Sequence, residues 1–231
     1  MERKLHCCWL LDAWKPTREK YLRLWQKAGW DIVLWHGGQI EISPVDGVEL
    51  RNAAAIIDGS PIARAYEYEK SFSNHAGCAD LFRYELLYTL GGAYADVDIR
   101  PGRNARPSLF DTITNPMFGR AWLPTRWHFE IRFIASPKDH HPLLERLRDT
   151  AVERTEAFIN RGGYEIHGVD NLLTRTGPVM AESVVKAFVG KGYQRSHLLK
   201  QATYDNTAEN GAEHYTLKHP EIRRLAAERR A

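Results

Sequence analysis

Residues 79–101 read ADLFRYELLYTLGGAYADVDIRP, and this stretch predicts three consecutive structural elements. Its first half is helical, because apolar residues recur on one face with the period of an α-helix: Ala79, Phe82, Leu86, Leu87 and Leu90. Gly91 and Gly92 end the helix, since glycine is the usual residue where a helix turns into another element. Residues 93–97 then form a short strand. The stretch therefore predicts a helix, a tight turn and a strand that ends at two acids, Asp96 and Asp98.

The preceding sequence predicts the same kind of alternation. Residues 5–11 are typical of a buried strand, a helix opens at Pro16 and closes at Gly29, and residues 30–35 form a second strand. Residues 48–73 mix short helical pieces with polar turns. Later elements are predicted as two strands and two helices, at residues 117–123, 129–135, 141–159 and 178–189. Strand and helix alternation of this kind favours an α/β protein with a mostly parallel sheet.

Composition is that of an ordinary globular protein with one core. The 231 residues suit a single domain, and a net charge of +3 does not indicate nucleic acid as a partner. The basic excess lies in the C-terminal segment IRRLAAERRA. That segment is predicted to be a solvated amphipathic helix, with peripheral contact to a membrane surface as the alternative.

The N-terminal segment MERKLHCCWLLDAWKP has too short an apolar run for a signal peptide or a membrane span. The three cysteines do not form the pattern of a disulfide framework, and Cys7 and Cys8 are predicted to pack inside a strand. We therefore expect a cytoplasmic protein, either in a bacterial cytosol or in the cytosol of a host cell.

Asp96 and Asp98 are candidate metal ligands. Residues two apart on a strand face the same way, and open α/β sheets bind ligands at the carboxyl ends of their strands. Paired carboxylates there suit Mg²⁺ or Mn²⁺, which would keep open positions for phosphate oxygens. Such a cation would relieve the repulsion between the two acids. The alternative is an acidic turn before Pro101 with no ligand.

Two other polar groupings each have two interpretations. Asp80 and Arg83 lie one helical turn apart, so they form either a plain ion pair or a site for sugar hydroxyls and phosphate oxygens. Asp139, His140 and His141 could suggest zinc, but histidines before a proline-initiated helix favour a capping role.

Residues 79–98 together resemble the DXD segment of glycosyltransferase family 32, whose members include mannosyltransferases, capsular polysaccharide transferases and glucosylating toxins. The matching positions are Ala79-Asp80, Arg83-Tyr84, Leu87-Tyr88, Gly91-Gly92, Tyr94, Asp96 and Asp98. Weaker similarities follow in the family's order at His6–Trp9, Trp25, Leu34-Trp35, residues 135–144 and Thr176-Gly177-Pro178.

The resemblance implies a GT-A fold of one domain, with a nucleotide-sugar half at residues 1–101 and an acceptor half at residues 102–231. It also implies a UDP- or GDP-sugar donor, a hexose-type sugar, Mn²⁺ or Mg²⁺, and retention of the anomeric configuration. By position, the catalytic residues would be Asp96, Asp98 and Arg83. The donor-binding residues would be Trp9, Asp80, Arg83, Tyr84, Gly92 and Asp96. Asp98 would be the main metal ligand, with Asp96 on the ribose or linked to the metal through water. Trp9 would stack on the base or simply belong to the core.

The chain departs from the family in two places. The family commonly has a late His followed by a Trp, whereas the last tryptophan here is Trp127. The third metal ligand is therefore open among Asp205, Asn206, Glu209, Asn210 and His214, with His214 or Asn206 as the preferred candidates. Arg132 stands where the family often has an asparagine.

The resemblance implies a metal-dependent retaining glycosyltransferase that acts on a glycan, small-molecule or protein acceptor. Two other functions are weighed against it. One is another metal–phosphate enzyme, such as a nucleotidyltransferase or a phosphohydrolase. The other is a sugar-nucleotide-binding protein of the same fold that lacks activity.

Overall fold

The structure is a computed structural model, and it describes residues 3–10, 14–38, 45–102, 105–123, 126–167, 172–190, 204–205 and 228. The strands are β1 (Lys4–Trp9), β2 (Asp31–His36), β3 (Val48–Asn52), β4 (Gly92–Ala95), β5 (Arg100–Pro101), β6 (Met117–Leu123), β7 (Arg126–Ser136) and β8 (Tyr204–Asp205). The helices are α1 (Glu19–Lys27), α2 (Ala54–Ile57), α3 (Ala63–Ser71), α4 (His75–Leu90), α5 (Pro142–Asn160), α6 (Gly163–His167), α7 (Leu172–Arg175) and α8 (Pro178–Val189).

Six strands form the central sheet in the order β3-β2-β1-β4-β7-β6. The pairs among β1, β2, β3 and β4 are parallel, whereas β7 runs antiparallel to both β4 and β6. The predicted α/β architecture with a mostly parallel sheet is therefore confirmed. A separate two-stranded pairing joins β5 to β8.

Both faces of the sheet are buried, which explains why its inner strands are almost continuously apolar. In β2, Ile32 and Leu34 pack into one core with Trp25 of α1, while Val33 and Trp35 pack into the other. The second core also holds the apolar faces of α4, α5 and α8. Alternate residues of one strand thus serve two helical layers.

Helix α4 is bounded by local signals. The side chain of Asn74 caps its first turn by accepting a hydrogen bond from the Gly77 amide. At the other end, Gly91 and Gly92 both have positive φ, at 67° and 81°. A Cβ atom on Gly92 would lie 3.0 Å from the Lys4 carbonyl oxygen, so a side chain there would push β4 away from β1.

The turn that follows β4 is hydrogen-bonded to a side chain of α1. The indole N–H of Trp25 donates to the Ile99 carbonyl at 3.0 Å, and the Trp25 ring stacks on Phe133 of β7 with 5.7 Å between centroids. Trp25 is fully buried. A core tryptophan therefore anchors the backbone immediately after Asp98.

Three local differences separate the structure from the sequence analysis. Residues 48–52 form strand β3 at the sheet edge, where turns and helical pieces were predicted. Strand β4 ends at Ala95, two residues earlier than predicted, so Asp96 and Asp98 lie in a turn rather than on the strand. His141 caps α5, as predicted, with its Nδ1 accepting from the Leu143 amide at 3.1 Å.

Within the described residues, no helix is long and apolar enough to span a membrane. The predicted membrane contact of the basic C-terminal segment falls outside the described residues apart from Glu228. The division into a donor half and an acceptor half stays a prediction, and β4 and β7, from opposite sides of that boundary, pair in one sheet.

The anchoring role of Trp25 predicts a cost for its removal. Trp25→Phe keeps an aromatic ring but leaves the buried Ile99 carbonyl without its donor and opens a small cavity. We expect the free energy of unfolding to fall by about 2–4 kcal/mol, measured by urea denaturation followed by circular dichroism.

Trp14→Phe is the matched control. Trp14 is also buried, but its indole nitrogen has no hydrogen-bond partner among the residues that the structure describes. Its replacement should therefore cost less than half as much as that of Trp25. Equal costs for the two variants would show that the bond to Ile99 does not stabilise the fold.

Candidate active site

The candidate site lies at the carboxyl end of the parallel strands. Asp96 directly follows β4, and Trp9 is the last residue of the neighbouring strand β1. The Asp96 amide donates to the Arg132 carbonyl of β7 at 2.9 Å, and the Ile99 amide donates to the Asp96 carbonyl at 3.3 Å. The first bond ties the acidic turn to β7, and the second closes the turn itself.

Arg83 connects the two acids that flank it in space. Its Nη2 lies 3.2 Å from Asp80 Oδ1 on the same helix and 3.2 Å from Asp96 Oδ1 in the turn. The side chains of Arg83 and Asp80 are almost fully buried, at 4% and 7% exposed, while that of Asp96 is 23% exposed. Asp96 is thus the member of this trio that faces outward.

The remaining donors of Arg83 are directed at the protein. Nε donates to the Ala79 carbonyl at 3.1 Å, and Nη1 donates to the Ile131 carbonyl of β7 at 2.8 Å. The guanidinium carbon lies 4.6 Å from the centre of the Tyr94 ring. This geometry favours a role in which the Arg83 guanidinium binds other protein groups over a role in which it binds a phosphate of the ligand.

Asp96 has a second protein partner. The Tyr94 hydroxyl donates to Asp96 Oδ1 at 2.8 Å, and the same hydroxyl lies 3.2 Å from Cys8 Sγ. Tyr94 is buried, so its bond to a carboxylate satisfies a polar group that would otherwise be costly inside the core.

Asp98 lies beside a different cation. Its Oδ2 is 3.8 Å from Nη1 of Arg18, which ends the 3-10 turn before α1. The Asp98 side chain is 29% exposed. Asp96 is directed to α4 and Asp98 to the start of α1, so the two carboxylates have different protein partners, unlike the parallel pair expected on a strand.

Burial and charge shift the ionisation of this cluster. Burial raises the pKa of Asp80 to about 6, although the Arg83 charge and a hydrogen bond from Thr176 oppose the rise. Burial also raises the pKa of Asp96, opposed by Arg83 and reinforced by the charge of Asp98. For Arg83, burial lowers the pKa, but the charges of Asp96 and Asp80 outweigh it and keep the group protonated.

Three further predicted donor-binding residues have distinct positions. Trp9 is half-buried and packs edge-on against Trp14, with 5.5 Å between ring centroids. Tyr84 is fully buried, and its hydroxyl donates to the Thr176 carbonyl at 2.9 Å. Gly92 begins β4, at the opposite end of the strand from Asp96. Trp9 therefore lies at the sheet edge that carries the acids, whereas Tyr84 and Gly92 support the fold around it.

The predicted third metal ligand falls on a part of the chain that is barely described. Asn206, Glu209, Asn210 and His214 lie outside the described residues. The backbone of Asp205 belongs to β8 and pairs with Arg100 of β5, two residues after Asp98. That pairing brings the chain near residue 205 back beside the acidic turn.

Arg132, which replaces the family's asparagine, lies on β7 next to the turn. Its Nε donates to Glu130 Oε2 at 3.0 Å, and its positive charge opposes the rise in the pKa of Asp96 that burial causes. Arg132, paired with Glu130 on the same strand, therefore lies beside Asp96.

Sequence reasoning missed two contacts of the acidic residues. Thr176 was matched to the family without a role, yet its hydroxyl donates to Asp80 Oδ2 at 2.9 Å. The contact of Arg18 with Asp98 could not be predicted, because the local sequence at the start of a helix does not reveal a partner 80 residues away. The Thr-Gly-Pro match was the one available signal for Thr176.

The described donor set fits a hard divalent cation in part. Asp96 and Asp98 supply partly exposed carboxylate oxygens of the type that Mg²⁺ and Mn²⁺ bind. Among the described residues, no group of three or more His, Cys, Asp or Glu side chains could hold a metal ion. A cation bound here would need further ligands from the nucleotide or from other parts of the chain.

The family comparison agrees with this geometry. Residues 13–116, a little under half of the chain, match the model of the glycosyltransferase sugar-binding region containing the DXD motif. The matched region includes Asp80, Arg83, Asp96 and Asp98. The predicted resemblance to DXD glycosyltransferases is thereby confirmed. No curated protein matches this chain in sequence.

Solved structures show the fold. The PaToxG glycosyltransferase aligns with a TM-score of 0.61 at 15% identity, covering 98% of this chain and 78% of that one. The UDP-bound glycosyltransferase domain of the YGT toxin aligns at 0.61 and 11% identity, covering 88% and 80%. The catalytic domain of α-toxin from Clostridium novyi aligns at 0.53 and 11% identity, covering 82% and 68%. The predicted GT-A fold is confirmed.

The chain has the GT-A fold, and its residues 13–116 are similar to the DXD-containing sugar-binding region of glycosyltransferases. Asp96, the first acid of that motif, directly follows β4. In fold and in this motif the chain is similar to glycosyltransferases.

The raised pKa of Asp80 predicts a dependence of stability on pH. Between about pH 4 and pH 6 the folded state holds a proton on Asp80 that the unfolded chain has released. The contribution of Asp80 to stability is therefore complete below pH 4 and is lost as the pH rises towards 6, by on the order of 2–3 kcal/mol. Asp80→Asn removes this contribution.

The test compares unfolding free energies of the wild type and Asp80→Asn from pH 4 to pH 7, in the presence of a chelator. The difference between the two proteins should change with pH in the direction that favours the variant at higher pH. A difference that stays constant over this range would mean that Asp80 titrates at its ordinary value.

Proposed function

We propose that the protein is a metal-dependent retaining glycosyltransferase that transfers a hexose from a UDP- or GDP-sugar to a glycan, small-molecule or protein acceptor. The observation that carries the proposal is the Asp80–Arg83–Asp96 cluster beside Asp98, at the edge where α/β sheets bind ligands. The UDP bound in the YGT toxin domain supports a uridine nucleotide as the first donor to test.

In this proposal, Asp98 and Asp96 hold the Mn²⁺ or Mg²⁺ ion. The ion, when bound, neutralises the negative charge that develops on the departing nucleoside diphosphate. Arg83 keeps Asp96 ionised and fixed in place, so that no reorganisation is needed when the donor binds. This is a positioning role for Arg83, consistent with its burial.

The other groups bind and orient the donor. Trp9, at the end of β1, presents a half-buried aromatic ring on which the base would stack. Arg18 is 3.8 Å from Asp98, so its positive charge would also reach the diphosphate bound to the metal. Asp80 would accept hydrogen bonds from the hydroxyls of the donor sugar.

Retention requires the acceptor hydroxyl to attack on the face from which the diphosphate leaves. The proposal assigns no protein nucleophile, and a phosphate oxygen of the donor would accept the proton of the attacking hydroxyl. Arg132 of β7 pairs with Glu130, and its carbonyl accepts a hydrogen bond from the Asp96 amide. It would therefore shape the entry of the acceptor in a way that an asparagine could not.

The proposal predicts metal-dependent release of nucleoside diphosphate. Purified protein with Mn²⁺ is incubated with a panel of UDP- and GDP-sugars without acceptor, and free nucleoside diphosphate is measured. We expect release from one donor, reduced about a hundredfold or more by Asp98→Asn or by a chelator. Mn²⁺ with nucleotide should also raise the melting temperature of the wild type but not that of Asp98→Asn.

Asp31→Asn is the control for loss of a negative charge. Asp31 is exposed and begins β2, at the opposite edge of the sheet, so its replacement should leave the release unchanged. Release of nucleoside monophosphate would instead indicate a nucleotidyltransferase or a phosphohydrolase. Metal-dependent binding of a sugar nucleotide without turnover would indicate an inactive binding protein.

A further inference from the structure

We propose that Thr176 is a positioning residue for the donor sugar, because its hydroxyl fixes the carboxylate of Asp80 and, through Arg83, that of Asp96. The inference rests on the proposed function and extends it to a residue 96 positions away from Asp80. The hydroxyl donates to Asp80 Oδ2 at 2.9 Å, which leaves Oδ1 for Arg83.

The hydroxyl of Thr176 is not used for the usual local purpose of a threonine at a helix start. Gly177, not Thr176, is the N-cap of α8, and no side chain caps that helix. Thr176 itself is fully buried. Its hydrogen bond therefore serves the distant carboxylate rather than the helix that follows.

The backbone of Thr176 is hydrogen-bonded at both its amide and its carbonyl group. Its amide donates to the Leu172 carbonyl at 3.0 Å, and its carbonyl accepts from the Tyr84 hydroxyl at 2.9 Å. Tyr84 lies one residue after Arg83 on α4. The same helix that carries Asp80 and Arg83 thus also binds the turn that supplies the hydroxyl.

The preceding residue anchors this turn in a second buried network. The Arg175 guanidinium pairs with Glu69 of α3, and its Nη2 donates to the Tyr164 hydroxyl at 2.6 Å. Tyr164 and Asn74 in turn donate to Glu69 Oε2 at 2.9 and 2.6 Å. Because every member is buried and bonded, the turn has little freedom to move.

These contacts form one continuous series of hydrogen-bonded side chains. The buried network of α3 and α6 holds Arg175, and the next residue, Thr176, donates to Asp80. Asp80 pairs with Arg83, which in turn pairs with Asp96. Thr176 bonds directly to Asp80, the member that would meet the sugar hydroxyls under the proposed function, and reaches Asp96 on the metal side only through Arg83. Loss of the Thr176 hydroxyl should therefore disturb the part of the site that meets the sugar more than the part that meets the diphosphate.

The test uses Thr176→Val, which keeps the shape of the side chain and removes its hydroxyl. Dissociation constants are measured by titration calorimetry with Mn²⁺ for two ligands: the sugar nucleotide identified in the release assay, and the nucleoside diphosphate without the sugar. We expect the affinity for the sugar nucleotide to fall about tenfold, as for one lost hydrogen bond to a charged group. The affinity for the nucleoside diphosphate should change less than twofold.

Two variants serve as controls. Thr176→Ser restores the hydroxyl and should restore wild-type affinity. Thr155→Val removes another fully buried threonine hydroxyl, which donates to the Ala151 carbonyl at 2.8 Å within α5, and should leave both affinities unchanged. If Thr176→Val does not fold, Thr176→Ala provides the same comparison with less crowding of the turn.

The outcomes separate the inference from the function on which it rests. Equal losses for both ligands, or no loss for either, would contradict the positioning role while leaving the transferase intact. A wild-type protein that binds no sugar nucleotide would contradict the proposed function and the inference with it. A selective loss that serine reverses would establish the role of Thr176.

Discussion

The ion pairs of Arg83 with Asp80 and Asp96 are the interaction on which the rest of the site depends. Two carboxylates this close to the core would repel each other and would each carry a large desolvation cost if left unpaired. One buried guanidinium compensates both of them, and two carbonyl groups hold that guanidinium in place. Asp96, in the acidic turn at the end of β4, therefore has a positively charged protein partner whether or not a metal is bound.

The sheet topology explains why these groups meet. Strand β7 runs antiparallel to β4, so the carbonyl groups of Ile131 and Arg132 lie beside the end of β4, where they accept from the Arg83 guanidinium and the Asp96 amide. The turn before α8 adds the Thr176 hydroxyl. Residues from both halves of the chain thus build one site, and the short helix-turn-strand segment supplies only its acidic centre.

The sequence was sufficient for the local elements and for the position of that centre. The apolar period of α4, the glycines after it and the two acids are local features, and the family resemblance gave them a meaning. Strand β3 was missed because it is an edge strand with charged residues and little burial, so its pattern differs from that of the inner strands. The Thr176–Asp80 and Arg18–Asp98 contacts depend on the packing of distant elements, which no local pattern encodes.

Burial also changed the interpretation of two predicted residues. Arg83 and Tyr84 belong to the matched motif, and sequence alone could not tell a side chain that meets the ligand from one that supports it. The structure directs the donors of Arg83 at the protein and the hydroxyl of Tyr84 at Thr176. Motif membership therefore marks the neighbourhood of the site, while exposure separates Asp96 and Asp98 from the residues behind them.

The most direct test of this account is the location of the metal in a crystal grown with Mn²⁺ and a uridine diphosphate sugar. Anomalous scattering at the manganese edge would place the ion. The account predicts a peak about 2.1 Å from a carboxylate oxygen of Asp98, with the diphosphate on the ion and Arg83 still between Asp80 and Asp96. A peak elsewhere, or nucleotide bound with no ion near Asp98, would contradict it.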